Sequence, residues 1–286
     1  MAIKLTFEYT FCNLLFLNKD KNLTQNKSEV FDAAAKGYDD TFTHSSIGKA
    51  QRKRVYHWLK KVDFFNTNNS IFEINCGTGY DAEHFYNKGL SVTATDGSGK
   101  MIEVSKKQRN SEIDFFQLGF DEVSENKKFK ESNVLFSNFG GLNCISLEEL
   151  KTFTKGIAKG QKKGDLIAWV IMPNDCFIEN FYFLFKGQFR KMFRRKLNGS
   201  LKVNVDGVEV ETFYHAPNDV KDLLEKYYQV VLKKPVALFI PPSYLEGFFK
   251  NKKFLLKLLE FFERIFGWVS FYSNFADHYI IIAKRK

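Results

Sequence analysis

Two carboxylates bracket a glycine turn in Ser70–Met101, "SIFEINCGTGYDAEHFYNKGLSVTATDGSGKM". Glu73 precedes the run Asn75-Cys76-Gly77-Thr78-Gly79, and Asp96 follows about twenty residues after the first glycine. Glycines let a backbone pass close to a ligand where a strand gives way to a helix. An acid ending the neighbouring strand can accept hydrogen bonds from both hydroxyls of a ribose. So far this is the chemistry of any adenosine binder. Gly77-Thr78-Gly79-Tyr80-Asp81-Ala82 even satisfies the loose dinucleotide pattern G-x-G-x-x-A. Glu73 separates the readings. A diphosphate at this turn would sit against a carboxylate in poorly hydrated surroundings, where like charges repel strongly. A ligand bringing cations there, such as the ammonium and sulfonium of S-adenosylmethionine, would be helped by it. Asp81 either adds to that field or suits the positive end of the helix that it begins.

The elements that must position these groups follow from apolar patterning. "SIFEIN", "LSVTATD", "IDFFQLG", "SNVLFSNF" and "DLIAWVIMP" read as strands. "DAEHFYNKG", "GKMIEVSKKQ" and "SLEELKTFTKGIAKG" read as the helices between them, the first closed by Gly89 and the last by Gly160. Alternation of this kind predicts an α/β fold: a Rossmann-like, doubly wound, seven-stranded and mostly parallel sheet. Upstream, "VFDAAAKGYDDTF" and "GKAQRKRVYHWLKKV" read as helices. After Pro173 the rhythm breaks. An aromatic, basic helix is expected over "FIENFYFLFKGQFRKMFRRKLNG". A hairpin turning on Asp206-Gly207, a helix over "APNDVKDLLEKYY" and a strand over "QVVLKKPVALFI" come next. A long helical insertion over "SYLEGFFKNKKFLLKLLEFFERIFG" and a last, antiparallel strand over "DHYIIIAKRK" complete the pattern. The expected organisation is an N-terminal extension over residues 1–28 and one domain over 29–286. Within the domain, 29–62 forms a helical lid, and 176–212 and 241–270 are insertions on the substrate side.

"FEINCGTG … TATDGSGKM" resembles the first two motifs of class I S-adenosylmethionine-dependent methyltransferases: an acid, a G-x-G-x-G turn, then an acid ending the second strand and followed by Ser and Met. Asn75 replaces the first glycine, and Asn tolerates left-handed backbone better than other side chains. "FDAAAKGYDDTF" resembles the opening helix of the small-molecule subgroup, whose tyrosine closes over the cofactor. The resemblance covers residues 29–175 well and implies S-adenosylmethionine as the cofactor. It implies contacts from Tyr38, Glu73, Asn75, Cys76, Gly77, Thr78, Gly79, Asp81, Asp96, Gly97, Ser98 and Met101. It carries over to Gly119, Phe120 and Asp121 after the third strand, with the usual acid displaced by one. After the fourth strand it carries over to Ser137, Asn138 and Phe139, which would face the methionine portion and the methyl acceptor. No metal is implied.

A sulfonium already activates its methyl group, so the protein need only hold the acceptor in line and exclude water. A base helps where the acceptor is a hydroxyl. His215, after the hairpin, and His44, after the lid helix, are the candidate bases; His278 is a third histidine near the expected pocket, while His57 and His84 read as packing or surface residues. The expected reaction is methylation, at oxygen, of a small hydrophobic or phenolic metabolite, free or bound to a carrier protein. The chain has 32 Phe and a formal charge of +10. The charge permits an acidic partner or simply keeps the surface soluble. The Phe-rich insertions read as core packing, as a greasy roof over the acceptor, or as a peripheral membrane contact. Three rival readings stay open: a nucleic-acid methyltransferase, a nicotinamide oxidoreductase, and a binding module without catalysis. "PPSY" is similar to a box of nucleic-acid enzymes, but it follows the sixth strand rather than the fourth, so nucleic acid is not expected. Cys12, Cys76, Cys144 and Cys176 form no CxxC pair, which fits a reducing cytoplasm. No apolar run approaches the length of a transmembrane span.

Overall fold

The computed structural model describes residues 29–196, 199–205 and 208–286. Strands β1 (Ser70–Ile74), β2 (Ser91–Asp96), β3 (Asp114–Gln117), β4 (Val134–Ser137) and β5 (Leu166–Ile171) run parallel. A hairpin, β6 (Ser200–Val205) with β7 (Val208–Phe213), stands apart as a small second sheet. The main sheet is completed by β8 (Tyr228–Val236) and β9 (His278–Arg285), in the order β3-β2-β1-β4-β5-β9-β8. β9 lies antiparallel between β5 and β8. This is the seven-stranded sheet with an antiparallel last strand that the patterning predicts. β8 is an edge strand, which is where a strand can carry Pro235 without breaking a ladder on both sides.

Helices cover both faces. They are α1 (Ser46–Leu59), α2 (Tyr80–Tyr86), α3 (Gly99–Gln108), α4 (Lys127–Glu131) and α5 (Leu147–Gly160), then α6 (Phe177–Phe185), α7 (Pro217–Leu224), α8 (Glu246–Phe249) and α9 (Lys253–Phe266). Alternation along each strand divides the core in two. Ile71, Phe136 and Ile280 join α1 and α2 on one face, whereas Phe72, Leu135 and Trp169 join α4, α5 and α7 on the other. Because both faces are covered, "LIAWVI" in β5 is buried throughout and reads as one continuous apolar run.

Three expected helices differ. "VFDAAAKGYDDTF" is a 3-10 turn at Glu29–Asp32 and a π-helical turn at Asp39–Thr43, not one helix. Asp32 accepts from the Ser98 hydroxyl and Asp39 from the Thr78 hydroxyl (2.5 Å), so tertiary bonds override the local helical preference. The 177–196 stretch stops at α6, because Gly187 takes a left-handed φ of 65°, and continues only as short 3-10 turns. The 243–266 stretch is broken into a 3-10 turn, α8 and α9. The expected turn at Asp206-Gly207 and the expected extension over residues 1–28 lie outside the described residues.

Candidate active site

A cleft of about 1440 Å³ opens at the carboxyl ends of β1 to β4, the place where open α/β sheets bind ligands. Its floor is the turn from β1 to α2. Asn75, Gly77 and Gly79 all have left-handed φ values, 56°, 55° and 75°. A Cβ on Gly79 would stand 2.7 Å from the Phe115 ring, so this position must be glycine for packing as well as for backbone conformation. Asn75, standing in a glycine's place, donates from Nδ2 to Ser137 Oγ at 3.2 Å. Its side chain fits because Gly141 faces it; a Cβ there would lie 2.4 Å from Asn75 Cβ.

Asp96 closes the turn from β2. One carboxylate oxygen accepts from Gly77 N (2.8 Å) and the other from Ser98 N (2.8 Å). Burial pushes its pKa above the usual carboxylate range, against those two bonds. Ser98 caps α3 by accepting from Met101 N. Tyr38 stands over Gly77, and Gly97, Met101, Gly119, Phe120 and Asp121 extend the lining toward β3. Asn138 and Phe139 close it from β4, with Phe139 at a left-handed φ of 44°.

A second layer lies beneath. Glu73 is buried in mid-strand β1 and its Oε2 has no hydrogen-bond partner. Burial, reinforced by the Asp81 charge and opposed by Arg52, holds its pKa well above the usual range. Asp81 is a buried hub that accepts from Arg52 Nε (2.9 Å), from the Tyr56 hydroxyl and from Asn138 Nδ2 (3.0 Å). It therefore ties α1 to α2 and orients Asn138. Thr78 and Cys76 are buried too, and Ser137 bonds Asn75. Arg109 latches the lid segment to the turn, donating from Nε to Thr78 O (2.9 Å) and from Nη2 to Asp39.

Of the expected contacts, eleven thus line the cleft: Tyr38, Asn75, Gly77, Asp96, Gly97, Met101, Gly119, Phe120, Asp121, Asn138 and Phe139. Glu73, Cys76, Thr78, Gly79, Asp81, Ser98 and Ser137 do not line it; they support those that do. The two candidate bases need correction. His215 is buried, and its Nε2 donates to the carbonyls of Leu142 (3.2 Å) and Ile145 (3.1 Å), so it braces the loop after β4. Burial pushes its pKa below the usual imidazole value. His44 is half exposed and lies 3.9 Å from Asp40, also outside the lining.

The lining also holds residues not anticipated. Phe31 comes from the lid segment, Gly140 and Gly141 from "NFGGLN", and Glu122 from the loop after β3, where it accepts from Gly119 N (2.8 Å). The doubled glycine was a visible signal, and so was Phe31 as the first residue of "FDAAAKGYDDTF". Glu148 and Glu149 of α5 complete an acidic wall with Asp96, Asp121 and Glu122. No Lys, Arg or His is among the described residues that line the cleft, in a chain of net charge +10. Among the described residues no group of His, Cys, Asp and Glu is placed to hold a metal ion.

No protein-family model matches the chain. Its backbone is similar to a S-adenosylmethionine-dependent methyltransferase structure from Listeria monocytogenes described as putative: TM-score 0.55, 16% identity, over 83% of this chain and 98% of that one. It is equally similar to magnesium protoporphyrin IX methyltransferase from Synechocystis PCC 6803, solved with bound SAH: TM-score 0.55, 13% identity, over 91% and 96%. The fold is that of the class I S-adenosylmethionine-dependent methyltransferases. By sequence, the chain is 30% identical over 118 residues to malonyl-[acyl-carrier protein] O-methyltransferase of Priestia megaterium (strain DSM 319 / IMG 1521). That match spans 40% of this chain and 42% of the relative, less than half of either.

Proposed function

We propose that this protein is an S-adenosylmethionine-dependent methyltransferase acting on a small, hydrophobic or phenolic metabolite, free or carried on an acyl carrier protein, at oxygen. The observation that carries the reading is the charge of the cleft. Five carboxylates and no cationic side chain line it among the described residues. Such a site favours a cationic nucleoside and repels both the diphosphate of a dinucleotide and a nucleic-acid backbone. The cofactor fits: Asp96 would hold its ribose, Gly77 would allow close backbone approach, and Tyr38 and Asn138 would contact its amino-acid portion. When bound, it supplies a methyl group on a sulfonium centre.

The chain's own residues then orient and shield. Tyr38, Phe42 and Phe139 form a ring cluster beside the glycine turn, with centroids 5.7 and 5.0 Å apart in succession. Such a cluster excludes water and packs an apolar acceptor. With no histidine in the lining, rate enhancement rests on alignment, which supplies up to several kcal/mol. The carrier-protein option is supported by the name of the curated relative and by the chain's positive charge. The buried thiols of Cys76 and Cys176 suit a cytoplasmic setting.

Calorimetric titration with S-adenosylmethionine and with NAD tests the cofactor; saturable binding of the first and none of the second is expected, and the reverse refutes the proposal. Incubation with radiolabelled methyl donor and a metabolite extract, with and without ribonuclease, tests the acceptor. Label in an organic-soluble product is expected. Ribonuclease-sensitive label would assign the activity to RNA instead, and binding without any transfer would mark a non-catalytic module.

A further inference from the structure

The two insertion helices seat a few apolar residues on the core, Leu256 on α9 and Phe183 on α6, but leave most of their apolar side chains facing outward. On α9, Phe254, Leu258, Phe261 and Ile265 recur at i, i+4, i+7 and i+11 and all are exposed, Phe254 at 82%. The opposite side of the same helix buries Glu263 at 2%, where it accepts from Ala237 N (3.0 Å) and Phe239 N (2.8 Å) and lies 3.6 Å from Arg54. Helix α6 repeats the arrangement. Phe177, Phe181, Leu184 and Phe185 are exposed, the last at 83%, while Glu179 is buried at 1% against Arg194 and Arg195. A helix that only packs on a core carries polar residues on its outer face, not a second apolar stripe.

The stripes are continuous. From the end of α9 the chain passes through exposed Trp268 and Phe271; Phe271 packs on Phe275 (5.5 Å), whose carbonyl accepts from Phe177 N (2.8 Å) at the start of α6. Charges are sorted with equal consistency. Every acid of the helical stretches 177–196 and 243–266 turns inward: Glu246 onto Ser46 N and Ile47 N, Glu260 onto Lys53, Glu263 and Glu179 onto arginines; the exposed acids of the first insertion, Glu209 and Glu211, belong to the hairpin strand β7. The outward charges of these stretches include Lys186, Arg190, Lys250, Lys253, Lys257 and Arg264. On α6 and α9 the exposed aromatic stripes are flanked by cations, the composition of an interfacial helix. An acidic carrier protein would satisfy the cations but leave most of the phenylalanines in water.

We propose that this face docks on an anionic lipid bilayer, with the α9 and α6 side chains entering the headgroup boundary and the flanking lysines and arginines meeting the lipid charge. No helix among the described residues is long and apolar enough to cross a membrane, so the contact is peripheral. The inference is independent of the methyl-transfer reading, since none of these residues lines the cleft.

The test is sedimentation of the purified full chain with vesicles of phosphatidylcholine, alone or mixed with phosphatidylglycerol. Partition to the mixed vesicles only, weakening with salt, is expected. Phe254→Ser with Phe261→Ser should reduce it at least tenfold. Lys253→Glu with Lys257→Glu should do the same, each surface cation being worth roughly fivefold. All four positions are exposed, so thermal melts and cofactor titrations should match the wild type. Trp268, 63% exposed beside the buried Trp58 and Trp169, supplies a direct signal. Its emission should shift to the blue on mixed vesicles, and Trp268→Phe should abolish the shift while partition persists. Absence of partition at low salt overturns the proposal. So does retention on an immobilised acidic carrier protein, or dimer formation through this face, without vesicle binding.

Discussion

Gly141 makes room for Asn75, and that pairing can be measured. Its backbone is not left-handed, so Gly141→Ala adds only a methyl group. That methyl would fall 2.4 Å from Asn75 Cβ and 2.6 Å from Cγ and Nδ2. Asn75 cannot swing aside: the nearest atom is attached to its backbone, which is held at φ 56° inside the ligand turn. Overpacking of this kind costs about 1–3 kcal/mol, and displacing Nδ2 from Ser137 costs about 1 more. Asn75→Gly alone should be nearly neutral, because losing the Ser137 bond is offset by relief of a left-handed Asn. In the double variant the added methyl meets no Asn side chain. Urea denaturation of all four proteins should therefore give a coupling of at least ~1.5 kcal/mol, with the double variant more stable than the sum of the singles predicts. Cofactor titration should show the same rescue, since Gly77 is two residues along the turn. Additivity to within about 0.5 kcal/mol would mean that the two residues do not meet, and would remove the account of how this turn functions without its first glycine.

Three further outcomes are expected. Glu73→Gln should raise the melting temperature near neutral pH. Because the folded-state pKa is raised, the stability linked to Glu73 is present below its unfolded value of about 4.3 and is lost as pH rises toward the folded one. The advantage of the variant should thus grow with pH over that window in melts from about pH 5 to about pH 8; a constant difference would contradict a buried, elevated carboxyl. His215 has a depressed pKa, so its contribution is present above about pH 6.5 and is lost as pH falls below it. His215→Gln should cost about 1–3 kcal/mol, flatten that acid limb and leave the pH profile of methyl transfer in place; a shifted profile would restore His215 as a base. Arg109→Ala breaks a part-buried ion pair with Asp39, and should cost about 1–3 kcal/mol and loosen the cofactor by freeing the segment that carries Tyr38. Unchanged affinity in calorimetry would show that the latch does not act on the site.

Strand positions were legible because both faces of the parallel sheet are covered, which leaves an apolar run with a glycine or proline at its end; β1, β2 and β5 are examples. The insertions were harder for a physical reason. Helical spacing in "KFLLKLLEFF" tells that a helix is two-sided, not which side faces water. That was decided by Glu263, whose partners are the backbone of Ala237 and Phe239 and a guanidinium on α1. The site divided along the same line. Residues that touch the cleft through backbone, such as Gly77 and Gly119, follow from local motifs. His215 looked free in sequence and is held by carbonyls some seventy residues away. Asp81 likewise acts through Arg52 and Asn138, partners that no local spacing reveals.

The net charge of +10 is unevenly spread, and three territories differ in their charge. The cleft is acidic. The layer beneath it places a guanidinium among carboxylates, with Arg52 meeting Asp81 and opposing the upward shift of the Glu73 pKa. The outer faces of the insertion helices α6 and α9 carry cations and turn their acids inward. A nucleic-acid enzyme needs its positive field to lead into the catalytic cleft, since each phosphate contact adds affinity only where the backbone runs. Here the field points away from the cleft and coincides with the exposed phenylalanines. The same excess of lysine and arginine that suggests a polyanion therefore argues for two separate ligands, a cationic nucleoside inside and an anionic surface outside. A steep loss of vesicle partition with salt, at unchanged cofactor affinity, would show the two fields to be separate.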